Sequence, residues 1–310
     1  VNVSHDYNWH DAIHDARMGN PCGSNATAPC DDDGHGTSTA SLAVGDDGAG
    51  NQVGTAPGAK FIACRNMDEG DGTPARYTEC FQFFLAPTDH NGVNPRPDLG
   101  ADIVSNSWGC PATEGCTTPD VLQAVVENVR AAGVFVAVAA SNDGPDCATV
   151  DIPALYEASF SVGATTLDDS IASFSSRGPV TADGSNRLKP DLCAPGVALR
   201  VADLAGGYSG GFSGTSGATP EVAGAVALLW SAVPSLAGHP VNTADLLESS
   251  AVALTSTQDC APYPGSAVPN AVFGYGRLDI VRALDLAVSS PRARPIPPAG
   301  AREPRVVPPR

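Results

Sequence analysis

The sequence predicts an α/β fold in three layers, a mostly parallel sheet with helices on both faces. Short apolar strand-like runs at 60–64, 102–106, 134–140 and 160–162 read as strands covered on both sides. Helical patterns at 73–85, 119–132, 220–231, 243–251 and 277–287 alternate with and follow them, as crossover connections do. Of 310 residues, 42% are hydrophobic and 16% charged, which supports a sizeable core in one large or two small domains.

In chain order, His5 to Asn20 is a polar run expected at the surface. An acidic loop, Asp31-Asp32-Asp33-Gly34, leads into His35–Val44, a helix-compatible run of short side chains able to pack closely on another helix. The strand at 60–64, the helix at 73–85 and the strand at 102–106 follow. After the helix at 119–132, the strand at 134–140 delivers Ala140-Ser141-Asn142 to its carboxyl end, where sites of open parallel sheets lie. Glycines at 206, 207, 210, 211, 214 and 217 precede a helix apolar on every side, which belongs in a core. Ser216 sits at its mouth, where unpaired N–H groups and the positive end of the helix dipole gather. A hydroxyl held there can attack a carbonyl and have the resulting oxyanion stabilised by the same backbone. The bland alternative is that Ser216 only caps the helix. Residues 289–310 are rich in Pro and Arg and read as an extended, disordered tail.

The net charge of −17 argues against nucleic acid or an anionic membrane as partner. Five Arg and one Glu fall in 291–310, leaving 12 basic and 33 acidic residues in 1–290, a net of −21. No apolar run is long enough to span a membrane. Nine cysteines favour an oxidising, secretory compartment. Closeness in sequence pairs Cys22 with Cys30, Cys64 with Cys80 and Cys110 with Cys116; Cys147 and Cys260 make a fourth pair, and Cys193 is left over. Zinc finds no C-x-x-C pair, and His10 with His14 make only a two-histidine spacing in a polar run.

Three segments then fall into one pattern. His35-Gly36-Thr37, Ala140-Ser141-Asn142, and Gly214-Thr215-Ser216 with Pro220 resemble the histidine, oxyanion-asparagine and serine motifs of subtilisin-like serine proteases, the subtilases. Gly54-Thr55-Ala56-Pro57-Gly58-Ala59 resembles the family's G-V-A-P turn, and Ser105-Asn106-Ser107-Trp108-Gly109 its substrate-binding edge strand. The segments 172–179 and 189–196 follow the same pattern, so the similarity covers most of 1 to about 287. The resemblance implies Ser216 as nucleophile and His35 as general base, with Asn142 and the Ser216 N–H as oxyanion donors. It implies protein or peptide substrates, acyl-enzyme chemistry and no required cofactor.

The family's third catalytic group, an Asp in an Asp-Thr/Ser-Gly motif upstream of the histidine, has no counterpart. Asp6, Asp11 and Asp15 lie in the polar run, and Asp31 to Asp33 stand too close to His35 to replace an acid arriving from another strand. The expectation is a catalytic domain over 1–288 whose first strand and acid lie upstream of Val1; the rival is a catalytically dead, peptide-binding relative. Ser38 and Glu221 stand where the family often has histidines, on two helices expected to pack together. A buried Glu221 needs a partner or stays protonated. Gly217 replaces the usual Met and should open space beside Ser216, and Ser141 replaces a glycine.

By the resemblance, Asp151 lies at the base of the primary specificity pocket and Asp143 follows the oxyanion asparagine. Two carboxylates there favour Arg or Lys before the scissile bond. Asp46, Asp47 and Asn51 lie in a loop, 45–54, where subtilases often bind calcium, and oxygen donors suit that ion. Gly207-Tyr208-Ser209-Gly210-Gly211 matches the elbow of α/β-hydrolases, yet only Glu221 and His239 follow it as acid and histidine, so it reads as a decoy.

Overall fold

Residues 4–289 are described here from a computed structural model. The first strand, β1 (Trp9–Asp11), lies inside the run that the sequence assigns to the surface. Trp9 and Asp11 are buried, as are Ala12 and Ile13 beyond them. The segment looks polar because Asp11 is an interior ion-pair partner, 3.1 Å from the Arg65 guanidinium. Helix α1 (His35–Val44) follows, then β2 (Ala63–Arg65), which pairs with β1 in parallel. Arg65 also lies 2.8 Å from Asp32 and 3.9 Å from Asp68, with all four side chains buried. One guanidinium thus pins β1 and the acidic loop before α1 to β2, an arrangement that gives each of these three carboxylates a cationic neighbour.

Helix α2 (Pro74–Leu85) begins at Thr73, whose hydroxyl accepts from the Arg76 N–H while Pro74 supplies a preset φ at the first turn. It leads to β3 (Ile103–Asn106), α3 (Gln123–Ala131), β4 (Phe135–Ala139), β5 (Phe160–Thr165) and β6 (Leu192–Pro195). These four strands form one wholly parallel sheet in the order β3-β4-β5-β6. β4 shows why its sequence is apolar throughout. Val136 and Val138 join a core with Tyr77 and Phe81 of α2 and Val126 and Val129 of α3. Phe135 and Ala137 face the opposite core, built with Val222, Val226 and Leu229.

The hairpin β7 (Leu199–Ala202) and β8 (Tyr208–Phe212) precedes α4 (Thr215–Ala232), the central helix. Its buried residues run along its length, as the sequence pattern requires, but it starts five residues earlier than predicted, so Pro220 lies within it. Helices α5 (Pro240–Ser250) and α6 (Ile280–Ser289) complete this face. Four disulfides join Cys22–Cys30, Cys64–Cys80, Cys110–Cys116 and Cys147–Cys260, the pairs read from the sequence; Cys193, buried in β6, is free. The predicted tail, from 290 on, lies outside the described residues. No helix among them is long and apolar enough to cross a membrane.

Candidate active site

Asp31 decides how His35 is held. Its carboxylate accepts from the N–H groups of Gly34 and Thr37, at 2.8 and 2.7 Å, and from the Thr37 hydroxyl at 2.7 Å. Two donors at the N-terminus of α1 are thereby satisfied, and Gly34 takes the turn into the helix at φ 90°. His35 is the first helical residue. Burial lowers its pKa, against the opposing charges of Asp33 and Asp31, so the neutral base form prevails at neutral pH. No carboxylate among the described residues hydrogen-bonds its ring.

Helix α1 packs against α4, and Phe212 marks the place where their N-termini meet. Its ring centroid is 5.8 Å from that of His35. A Cβ added to Gly217 would lie 3.4 Å from the same ring and 2.7 Å from Leu199 Cδ1. The space that Gly217 was expected to open beside Ser216 is therefore filled by the β7–β8 hairpin. Ser216 is the second residue of α4 and is buried. Its Oγ donates to the Ser107 carbonyl at 3.1 Å, and the Ser107 hydroxyl donates to the Ser216 carbonyl at 2.9 Å. This reciprocal pair joins the end of β3 to α4. In this arrangement the Ser216 hydroxyl is bonded to Ser107 and not to the His35 ring.

Asn142 follows β4. Its Oδ1 accepts from the Thr215 N–H at 2.8 Å and the Thr215 hydroxyl at 3.0 Å, which leaves the Nδ2 donors uncommitted beside Gly214. Ser141 reaches this position at φ 86°, a left-handed value that explains why glycine suits the site. The three segments of the expected substrate cleft converge. Cys110 N–H donates to the Ile152 carbonyl at 2.8 Å, and a Cβ on Gly109 would stand 3.3 Å from Ser141 Oγ. Within 105–109, Asn106 turns inward and donates to the Ala137 carbonyl at 3.1 Å, while Trp108 stacks on Tyr77 at 3.8 Å; Ser105 is exposed. Asp143 is exposed and Asp151 half-buried. Burial raises the Asp151 carboxyl above its ordinary range, helped by the charges of Asp143 and Glu114, though the Ile152 N–H pulls the other way. Glu114, which also takes the Tyr77 hydroxyl at 2.5 Å, is an acidic neighbour that its place in the Cys110–Cys116 loop does not advertise.

Other candidates disperse. Asp47 spends its carboxylate on the Ala49 and Asn51 N–H groups and the Asn51 amide, and Asn51 Oδ1 takes Arg200 at 2.7 Å. Asp46 accepts from Gly48 and Gln52. In this structure the oxygens of Asp46 and Asp47 are engaged within their own loop, and that of Asn51 with Arg200. His10 and His14 both point Nε2 at Glu79, at 2.7 and 3.0 Å. Among the described residues no cluster of three metal-ligand side chains is found. Ser209 is exposed in β8, within a strand rather than at a strand-to-helix elbow.

Comparison with known proteins gives a consistent set. The model of the subtilase family matches residues 8–276. Bacillopeptidase F of Bacillus subtilis (strain 168) is 36% identical over 292 residues, 92% of this chain but 18% of its own length. Serine protease AprX of the same organism is 35% identical over 234 residues, 68% of this chain and 51% of that protein. Subtilisin E, also from that strain, is 33% identical over 223 residues, 71% and 51% respectively. The chain therefore spans at most about half of these relatives. The solved structure of prenylagaramide maturation protease PagA superposes with a TM-score of 0.62 at 22% identity, covering 90% of this chain and 92% of that one, which supports the fold alone.

Proposed function

The chain belongs to the subtilase family, whose members are serine endopeptidases, and on that premise we propose that it is the catalytic domain of a secreted peptidase in which Ser216 is the nucleophile and His35 the general base. In this reading Ser216 Oγ rotates off the Ser107 carbonyl and attacks the scissile carbonyl carbon while its proton passes to a His35 ring nitrogen. The oxyanion receives hydrogen bonds from Asn142 Nδ2 and the Ser216 N–H at the start of α4. Its collapse breaks the C–N bond, and His35 returns the proton to the leaving amine. Water then repeats the sequence on the acyl-enzyme. The observation that carries the proposal is the clamp of Asn142 Oδ1 by Thr215, which orients a free amide donor next to Ser216.

Four disulfides support the oxidising, extracellular setting. Asp143 and Asp151, with Glu114 now beside them, support a preference for Arg or Lys before the scissile bond. Arg- and Phe-ended chromogenic peptides test that preference, and faster turnover of the Phe substrate overturns it. With no acid among the described residues bonded to His35, turnover by this chain alone should be slow: in subtilisin, losing that Asp costs about 3 × 10⁴ in turnover. A fluorophosphonate probe tests the chemistry directly. Slow labelling that Ser216→Ala abolishes supports the peptidase. Peptide binding without any labelling favours the second reading, a non-catalytic peptide binder, which the unassisted His35 ring recommends.

A further inference from the structure

Asn25, Ala26 and Thr27 form a tripeptide that the serine chemistry leaves unused. Asn followed two residues on by Thr or Ser, with no Pro between, is the acceptor pattern for N-linked glycosylation. The sequence holds it twice, here and at Asn2-Val3-Ser4, whose asparagine lies outside the described residues. The pattern alone recurs by chance, so the surroundings of Asn25 decide what it is worth. Its loop is closed by the Cys22–Cys30 disulfide, and Ser24, Asn25, Thr27, Ala28 and Pro29 are all exposed on it. The backbone beneath is anchored. The Asn25 N–H donates to the Ile13 carbonyl at 2.8 Å. The Ala26 N–H donates to the Asp11 carboxylate at 2.7 Å, and Trp9 Nε1 donates to the Ala26 carbonyl at 2.8 Å.

Asn25 itself sits at φ 55°, a left-handed value that asparagine tolerates better than other residues with a Cβ. Its Oδ1 accepts from His14 Nδ1 at 2.6 Å. Nδ2, the atom that glycosylation uses, has no partner among the described residues, and neither has the Thr27 hydroxyl. We propose that Asn25 Nδ2 is the attachment point of an N-linked glycan, taken from an oligosaccharide carried on a lipid diphosphate. In the transfer Nδ2 attacks the anomeric carbon. The new C–N bond replaces the bond to the diphosphate oxygen, and the lipid diphosphate leaves with that electron pair. Nδ2 gives up one of its two protons to the base of the transferring enzyme. The amide oxygen survives, so the bond to His14 is kept and the folded chain holds the sugar without losing a contact. This rests on the secreted setting proposed above and not on the roles of Ser216 or His35.

The test secretes the intact chain from a eukaryotic cell behind a supplied, cleavable leader, so that every molecule in the medium has passed through the glycosylating lumen. Mass spectrometry of the whole protein and of its peptides reads the sugar, and peptide N-glycosidase removes it. The expected result is a glycosidase-sensitive mass increment on the peptide that contains Asn25. Asn25→Gln and Thr27→Ala should each abolish it, and Thr27→Ser should retain it. Thr27→Ala keeps the asparagine and its bond to His14, so its loss of sugar reports the acceptor pattern rather than a damaged fold. Asn2→Gln should leave the increment at Asn25 in place. Secreted protein with a bare Asn25, or an increment that only Asn2→Gln removes, overturns the site. Because the leader is supplied, that result leaves the secreted setting untouched. Retention of the protein inside its natural cell is a different result, which overturns the setting and the site with it.

Discussion

Glu221 occupies the first turns of α4, and burial alone pushes its carboxyl up to about 7 from an ordinary 4.5. It has no partner in Ser38, whose hydroxyl donates to the Ala202 carbonyl at 3.3 Å, so the two substitutions are not joined by a hydrogen bond. Because the folded state holds this proton more tightly, its contribution to stability is full below pH 4.5 and is lost as pH rises through 7. Glu221→Gln should leave stability unchanged at pH 4 and raise it by about 1–3 kcal/mol at pH 8, as urea unfolding at both pH values would show. A parallel argument applies at Asn142. Asn142→Ala should reduce turnover roughly 10²–10³-fold with little change in KM, the effect measured for one such donor in subtilisin, a relative. The residues named for catalysis are legible in the sequence because each sits in a short motif with its own backbone signature. Glu114 is not, since it meets Asp151 only through tertiary folding.

At the scale of elements, α1 and α4 meet at Gly224. A Cβ there would come within 2.7 Å of Thr55 Cβ and 3.2 Å of the Ala43 carbonyl. Alanine gains up to about 1 kcal/mol in helix propensity, but forcing a methyl into packed atoms costs about 1–3. Gly224→Ala should therefore destabilise the protein by about 1–2 kcal/mol, seen as a lower urea midpoint at constant slope. Turnover should fall as well, since α1 carries His35 and α4 carries Ser216. The all-apolar strand β4, the fully buried strand β5 and the helix α4 were readable from composition, because both of their faces meet core. The strand β1 was hidden by the acid it buries. β7 was hidden by its exposed Arg200, and β8 by Gly210, Gly211 and the exposed Ser209.

The whole molecule carries a net charge of −17. Such a field raises the encounter rate of cationic peptides and is screened over about 8–10 Å at ordinary salt. The kcat/KM for an Arg-containing peptide should fall several-fold between 10 and 200 mM NaCl, while that for a neutral peptide holds steady. The Cys147–Cys260 bridge spans 113 residues and ties the loop after Asn142 to the C-terminal region. Replacing both cysteines with serine should cost about 2–4 kcal/mol, measurable by chemical denaturation. Overall architecture follows from the alternation of strand and helix patterns, but the break between β2 and β3 does not, because it is a relation between two strands nearly forty residues apart.

Cys193 lies at the centre of β6, fully buried, and burial pushes its thiol up to about 12. The other eight cysteines are held in disulfides. The molecule thus contains a single silent reporter: a thiol reagent can mark it only while the sheet is open, so the rate of labelling is a clock for how often the fold gives way.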